Sequence, residues 1–212
     1  MRTPGFGLMT VALVAAGLSA PAATKVKDKA ITAASPESLV VMHTGSSTTG
    51  YDLRFSAEGQ GGFGRKIYSL SKKYSDTSPY TTRTLKPGTY VLNSIVQQGA
   101  WSTCFTTGTF AFTIQPGRVY YIGEVNSGPL LLDLQRSAIA RGRTRLTSGA
   151  LAIGWEPEIK PTFTVPTAED LANVRRFVAT AMPRTTAPVE ALAGRPADFV
   201  ATKAERAIQV CG

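Results

Sequence analysis

The first signal along the chain is alternation. Tyr51, Leu53 and Phe55 are separated by Asp52, Arg54 and Ser56, and Phe110, Phe112 and Ile114 by Ala111 and Thr113. A period of two sends one set of side chains to a core and the other to water, so both stretches predict strands. The register of the first is tightly specified, because a slip by one residue would bury Asp52 and Arg54. Leu39-Val40-Val41-Met42 is a short apolar run that predicts another strand, and residues 65–70 and 80–85 follow as further candidates. In the stretch after Gly88, Tyr90, Leu92 and Val96 share one face and Val91 and Ile95 the other, so both faces are partly covered. Val119 with Tyr121, and Tyr120 with Ile122, divide in the same way.

Two turns punctuate this pattern. Lys86-Pro87-Gly88-Thr89-Tyr90 and Gln115-Pro116-Gly117-Arg118-Val119 each place Pro-Gly directly before a run of β-branched and aromatic residues. Proline presets φ and glycine accepts the positive φ that a tight turn can require. The residues that follow suit a pleated, half-buried surface. Leu130 to Leu134 and Leu151 to Trp155 read as two more strands, joined through an arginine-rich stretch as a long hairpin.

One helix stands out. Thr167 precedes Ala168-Glu169-Asp170, which supplies a capping hydroxyl and two acids in the first turn. Leu171, Val174, Phe177, Val178 and Ala181 recur at helical spacing, and Pro183 closes the helix near Met182. Residues 184–212 mix apolar and polar residues without a firm period, with short extended pieces near Val189 and Phe199. The predicted fold is mainly β, an antiparallel β-sandwich with one C-terminal helix over about 167–182.

The N-terminus reads as a leader. Arg2 gives a positive start, Leu8 to Leu18 is an apolar stretch of signal-peptide length, and Ala20-Pro21-Ala22 offers small residues for cleavage after Ala22. The run is too short to span a bilayer, which takes about 20 residues. The expected organisation is a signal peptide over 1–22, a polar tether over 23–36, a β-sandwich domain over 37–160, and a C-terminal helix and extension over 161–212 packed on it. The mature protein is expected to be exported, periplasmic or secreted, with no transmembrane anchor.

Composition refines this picture. About 190 residues remain after the leader, enough for one domain with a substantial core. The two cysteines, Cys104 and Cys211, read as one disulfide in an oxidising compartment, with two independent buried thiols as the alternative. The formal net charge is +9. The excess gathers at Lys25, Lys27 and Lys29 and at Arg136, Arg141, Arg143 and Arg145. Such a patch attracts polyanions. For an exported chain that suggests an anionic envelope glycolipid or polymer, or another envelope protein, and not nucleic acid. The plainer reading of the same charges is a solvated basic surface with no partner.

Recognisable catalytic chemistry is missing. Gly59 to Gly64 fits the letters of a dinucleotide fingerprint but runs into a strand pattern, so it reads as a hairpin loop. Ser69-Leu70-Ser71-Lys72 has the serine-x-x-lysine spacing of acyl enzymes without their helix or partner motifs. His43 is the only histidine. It ends an apolar run beside Ser46 and Ser47 and has no orienting acid close in sequence, so a strand-end histidine is the ordinary reading and a hydrolase site the alternative. No catalytic residue, metal site or cofactor is expected. Tyr90, Trp101, Phe105, Phe110, Tyr120 and Tyr121 could line a carbohydrate face, although aromatics on strands more often fill a core.

Taken together, Pro87-Gly88-Thr89-Tyr90, Cys104-Phe105 and the segment from Pro116 to Gly123 resemble a loose group of exported bacterial proteins of uncharacterised function. Their modules are similar to immunoglobulin- or transthyretin-like sandwiches of the carboxypeptidase-regulatory type. The resemblance covers about residues 37–125 and implies a sandwich and an envelope setting. It brings no catalytic residue with it. The function expected on these grounds is non-catalytic, in binding or assembly.

Overall fold

The computed structural model describes residues 30–44, 50–58, 66–73, 77–97, 101–125, 127–140 and 156–198. The described residues form a β-sandwich of ten strands and two helices. The smaller sheet has the order β4 (Tyr80–Leu85), β1 (Ser38–His43), β8 (Val119–Glu124), β9 (Val189–Ala191). Here β1 is antiparallel to β4 but parallel to β8, and β9 is parallel to β8. The larger sheet is antiparallel throughout, in the order β10 (Arg195–Ala197), β7 (Thr109–Ile114), β5 (Gly88–Gln97), β2 (Tyr51–Ala57), β3 (Ile67–Lys72). The short β6 (Trp101–Ser102) pairs with the end of β5. Thr81 Oγ1 of β4 donates to the Ser71 carbonyl of β3 at 2.8 Å, which ties the two sheets at one corner.

The inner faces meet in one apolar core. Val40, Met42, Tyr120 and Ile122 of the smaller sheet pack in the same cluster as Leu53, Phe55, Leu92, Ile95 and Phe112 of the larger. The alternation in β2 is realised over Tyr51, Leu53 and Phe55, each at most 1% exposed, with Asp52 and Arg54 half-buried. In β7, Phe112 and Ile114 are buried and Thr113 is exposed, but Phe110 is only partly buried and Ala111 fully so. β1 and β8 are buried on both faces. Their other side, Leu39, Val41, Val119 and Tyr121, forms a second cluster with Val174, Val178 and Met182. Those three come from α2 (Ala168–Ala181) and its C-cap, so the helix layers onto the outside of the smaller sheet. Burying an aliphatic side chain contributes roughly 1.5–3 kcal/mol. The four core residues Leu39 to Met42 on β1, each at most 2% exposed, therefore outweigh any surface pair nearby.

α2 matches its expected bounds. Its N-cap is Thr167, and a capping box links Thr167 and Asp170 in both directions. The Pro-Gly turns also behave as read: Gly88 and Gly117 take φ of +148° and +70°, and strands β5 and β8 follow directly. A strand is also found near Val189, as β9, whereas Phe199 lies outside the described residues.

Two expectations are corrected. Leu130 to Leu134 is not a strand but part of a second helix, α1 (Ser127–Ala140). Leu130, Leu131, Leu134 and Ala138 lie on one side of it and enter the sandwich core, while Leu132 and Ile139 point outward. A short apolar run has no period of its own, so a buried helix segment and a strand read alike. With its first arm helical, the long hairpin is not formed; Leu151 to Trp155 lie outside the described residues. The end of the expected polar tether is also packed. Ile31 is 1% exposed, and its carbonyl accepts from the amides of Thr186 and Ala187 at 2.8 and 3.0 Å.

Backbone proximity makes one turn far more demanding than another. A Cβ on Gly117 would stand 2.2 Å from the Ala33 carbonyl oxygen, whereas at Gly108, also at positive φ, the nearest atom is 3.9 Å away. Both Gly→Ala changes carry the positive-φ cost of about 1–2 kcal/mol. Gly117→Ala is expected to lose about 1–3 kcal/mol more than Gly108→Ala, from overpacking. Equilibrium denaturant unfolding of the two variants checks the difference.

Candidate functional site

Because β1 and β8 run parallel, their C-terminal ends finish side by side. The register aligns His43 with Glu124 across a shift after Val41. His43 Nδ1 and Glu124 Oε2 are 2.8 Å apart, with side chains 31% and 36% exposed. Glu124 is fixed by its backbone, whose amide donates to Thr164 Oγ1 and whose carbonyl accepts from the Thr164 amide. On the other side of β1, Tyr80 meets the imidazole edge-on at 5.3 Å between centroids. Tyr80 in turn packs on Phe177 of α2 at 4.7 Å and on Tyr121 at 6.5 Å.

The electrostatics of this corner follow from who is buried beside whom. Burial pushes the Tyr80 phenol up, the Asp170 carboxylate adds to that, and Arg176 opposes it. Burial likewise raises Tyr121 well above the ordinary tyrosine range, with Asp170, Tyr80 and Glu124 contributing in the same direction. Both phenols therefore stay protonated. Asp170 moves the other way: hydrogen bonds from the Thr167 amide and hydroxyl hold its carboxyl below the usual value, and His43 lowers it further.

A carboxylate on one imidazole nitrogen fixes the ring and leaves Nε2 for acid–base work or for a ligand. Sequence reasoning identified His43 but not Glu124, which is 81 residues away. Only the parallel register of β1 and β8 joins them, and no local pattern announces it. Ser46 and Ser47, the nucleophiles considered beside His43, lie outside the described residues. No group of three or more metal-ligating side chains occurs among the described residues.

The basic patch is seen only in part. Arg136 lies on α1, mostly exposed, with Nη1 3.4 Å from Asp133 Oδ1; Arg141, Arg143 and Arg145 lie outside the described residues. Ser69 to Lys72 are part of β3, an edge-side strand and not a helix start, and Gly59 to Gly64 lie outside the described residues. The aromatic set is core: Tyr90, Trp101, Phe105, Tyr120 and Tyr121 are buried, and Phe110 stacks on Phe163 at 4.0 Å. Tyr90 is buried enough that its phenol is pushed up to about 12, with Tyr68 beside it acting in the same direction. Cys104 is buried, and no cysteine among the described residues is a free thiol; Cys211 lies outside them.

Among the described residues no helix is long and apolar enough to cross a membrane. No protein-family model matches this chain, and neither the curated proteins nor the solved structures yield a match.

The capping box gives the corner a pH signature. A carboxylate with a depressed folded-state value adds stability above its unfolded value, here near 3.8, and that stability fades as pH falls through the folded value. Thr167→Ala is expected to cost about 1 kcal/mol at neutral pH, the usual worth of an N-cap. In the variant, the acid-side loss of stability below about pH 4 should be shallower than in the wild type. Urea midpoints measured between pH 7 and pH 2.5 read both effects.

Proposed function

We propose that this chain is an exported, non-catalytic β-sandwich protein of the bacterial envelope that acts by binding or within an assembly. The observation that carries this reading is how the groups around the only histidine are used. His43 Nδ1 is engaged by Glu124, Asp170 is committed to the cap of α2, and Tyr80 and Tyr121 are held neutral inside a packed corner. These side chains join β1, β8 and α2 and so serve the fold. The leader-like N-terminus supports export to the periplasm or beyond. An oxidising compartment suits the Cys104–Cys211 pairing expected from the sequence. The immunoglobulin- or transthyretin-like resemblance belongs to the same proposal.

An anionic envelope component is the partner class this reading favours. α1 turns Leu132 and Ile139 outward, 50% and 57% exposed, on either side of Arg136. Their spacing of four and three residues sets all three on one helix face. Mixed apolar and cationic side chains suit a phosphate-bearing glycolipid surface.

Purified protein is therefore expected to show no turnover in a broad screen of ester, peptide, glycoside and phosphate substrates. His43→Ala should lose about 1 kcal/mol of stability, in keeping with a half-exposed charged hydrogen bond, and change nothing else. The same protein should be retained on anionic vesicles in low salt and released as ionic strength rises past about 0.1 M, where screening acts within about 10 Å. Turnover that His43→Ala abolishes would overturn the non-catalytic reading, and salt-independent behaviour would remove the anionic partner.

A further inference from the structure

α1 is apolar on both of its sides. Leu130, Leu131, Leu134 and Ala138 enter the sandwich core. The exposed residues of α1, among those described, are Leu132, Gln135, Arg136, Ile139 and Ala140, with one charge between them. A helix that is apolar all round needs cover all round, and the sandwich covers one side of this one. α2 gives the contrast, since its outward side carries Glu169, Arg175 and Arg176.

The exposed stripe has a definite shape. Leu132 and Ile139 are seven residues apart on the helix, which is two turns and about 10 Å along its axis. Arg136 stands between them with its side chain 69% exposed. Its one ion-pair partner among the described residues is Asp133, reached by Nη1 at 3.4 Å. A guanidinium has five N–H donors, so most of them are left for an outside acceptor. Its aliphatic stem can lie along apolar neighbours while the charged end reaches outward.

What covers this stripe follows from its size and its charge. A stable protein interface takes about 20–30 residues and about 800 Å² from each partner. The exposed side of a single helix of 14 residues offers far less, so this stripe does not by itself hold a second copy of the chain. A lipid interface sets no such minimum. Apolar side chains enter the boundary of headgroups and acyl chains one by one, each gaining by the area it buries. The sign of the charge agrees, because an anionic surface attracts a chain whose formal net charge is +9.

We propose that α1 lies flat on an anionic lipid bilayer, with Leu132 and Ile139 inserted where headgroups meet acyl chains and Arg136 held against lipid phosphate. This rests on the anionic-partner reading above and narrows it to a lipid surface in place of a soluble anionic polymer. Such insertion goes about 5–10 Å deep and spans nothing. Its two contributions are separable. Salt screens the attraction of Arg136 to phosphate, whereas the gain from Leu132 and Ile139 follows the apolar area they bury.

The test uses the full chain and vesicles of phosphatidylglycerol mixed with phosphatidylcholine, sedimented across a salt series. Leu132→Ser/Ile139→Ser is expected to lose about tenfold or more in vesicle affinity at every salt concentration. Arg136→Gln should lose affinity at low salt and little at high salt. Ile139→Trp puts a probe on the stripe, read as the change over the two native tryptophans. Brominated acyl chains should quench it and should not quench Arg175→Trp on α2. Inorganic polyphosphate, a soluble anionic polymer, should leave the Ile139→Trp emission as it is in buffer. If the double variant fails to fold, the quenching comparison decides. Salt-dependent vesicle binding that the double variant keeps in full, or an unquenched Ile139→Trp probe on bound protein, would overturn insertion and leave the anionic partner standing. No binding by the wild type at low salt would remove both. A stable dimer in lipid-free solution that the double variant dissociates would give the stripe to a second copy and overturn the proposal as well.

Discussion

The structure depends on the pairing of β1 with β8. It is a parallel pair inside an otherwise antiparallel-rich protein, and it joins the start of the described chain to a strand about eighty residues later. Both strands are buried on both sides, which is why each reads as a nearly continuous apolar run. One side supplies the sandwich core and the other receives α2. Removing the pair would leave the larger sheet without its facing layer and α2 without a seat.

The candidate site is a consequence of that pairing. Strands that run together end together, so His43 and Glu124 meet at one end of the smaller sheet with Tyr80 and Tyr121 beside them. A partly exposed hydrogen bond of this kind contributes about 0–1 kcal/mol, far less than the buried side chains of β1. The histidine therefore marks where the seam ends and is not what closes it. The tyrosines are held neutral by burial first, with the carboxylates of Asp170 and Glu124 adding to the effect at Tyr121.

Much of this architecture was legible in the residues. Alternation located β2 and β7, the Pro-Gly phrases located the starts of β5 and β8, and the Thr167–Asp170 pair located the start of α2. These signals are local, because turn geometry and capping are settled within four residues. What was hidden is non-local. Leu130 to Leu134 carries no period, so only the core it faces decides that it is helical. No local pattern ties Glu124 to His43; only the parallel register brings them together. The comparisons added no family to this, so the functional reading rests on what the side chains of this chain are engaged in.

The reactive-looking groups are tied into the seam, while one face of α1 carries exposed leucine, isoleucine and arginine. The most direct test of the account is residue-resolved native-state hydrogen exchange on the intact protein. If the β1–β8 pair holds both cores together, the amides of Val40, Val41, Tyr120 and Tyr121 exchange only through global unfolding and are the slowest in the molecule. Faster exchange there by local opening, with β2 and β5 still protected, would contradict it.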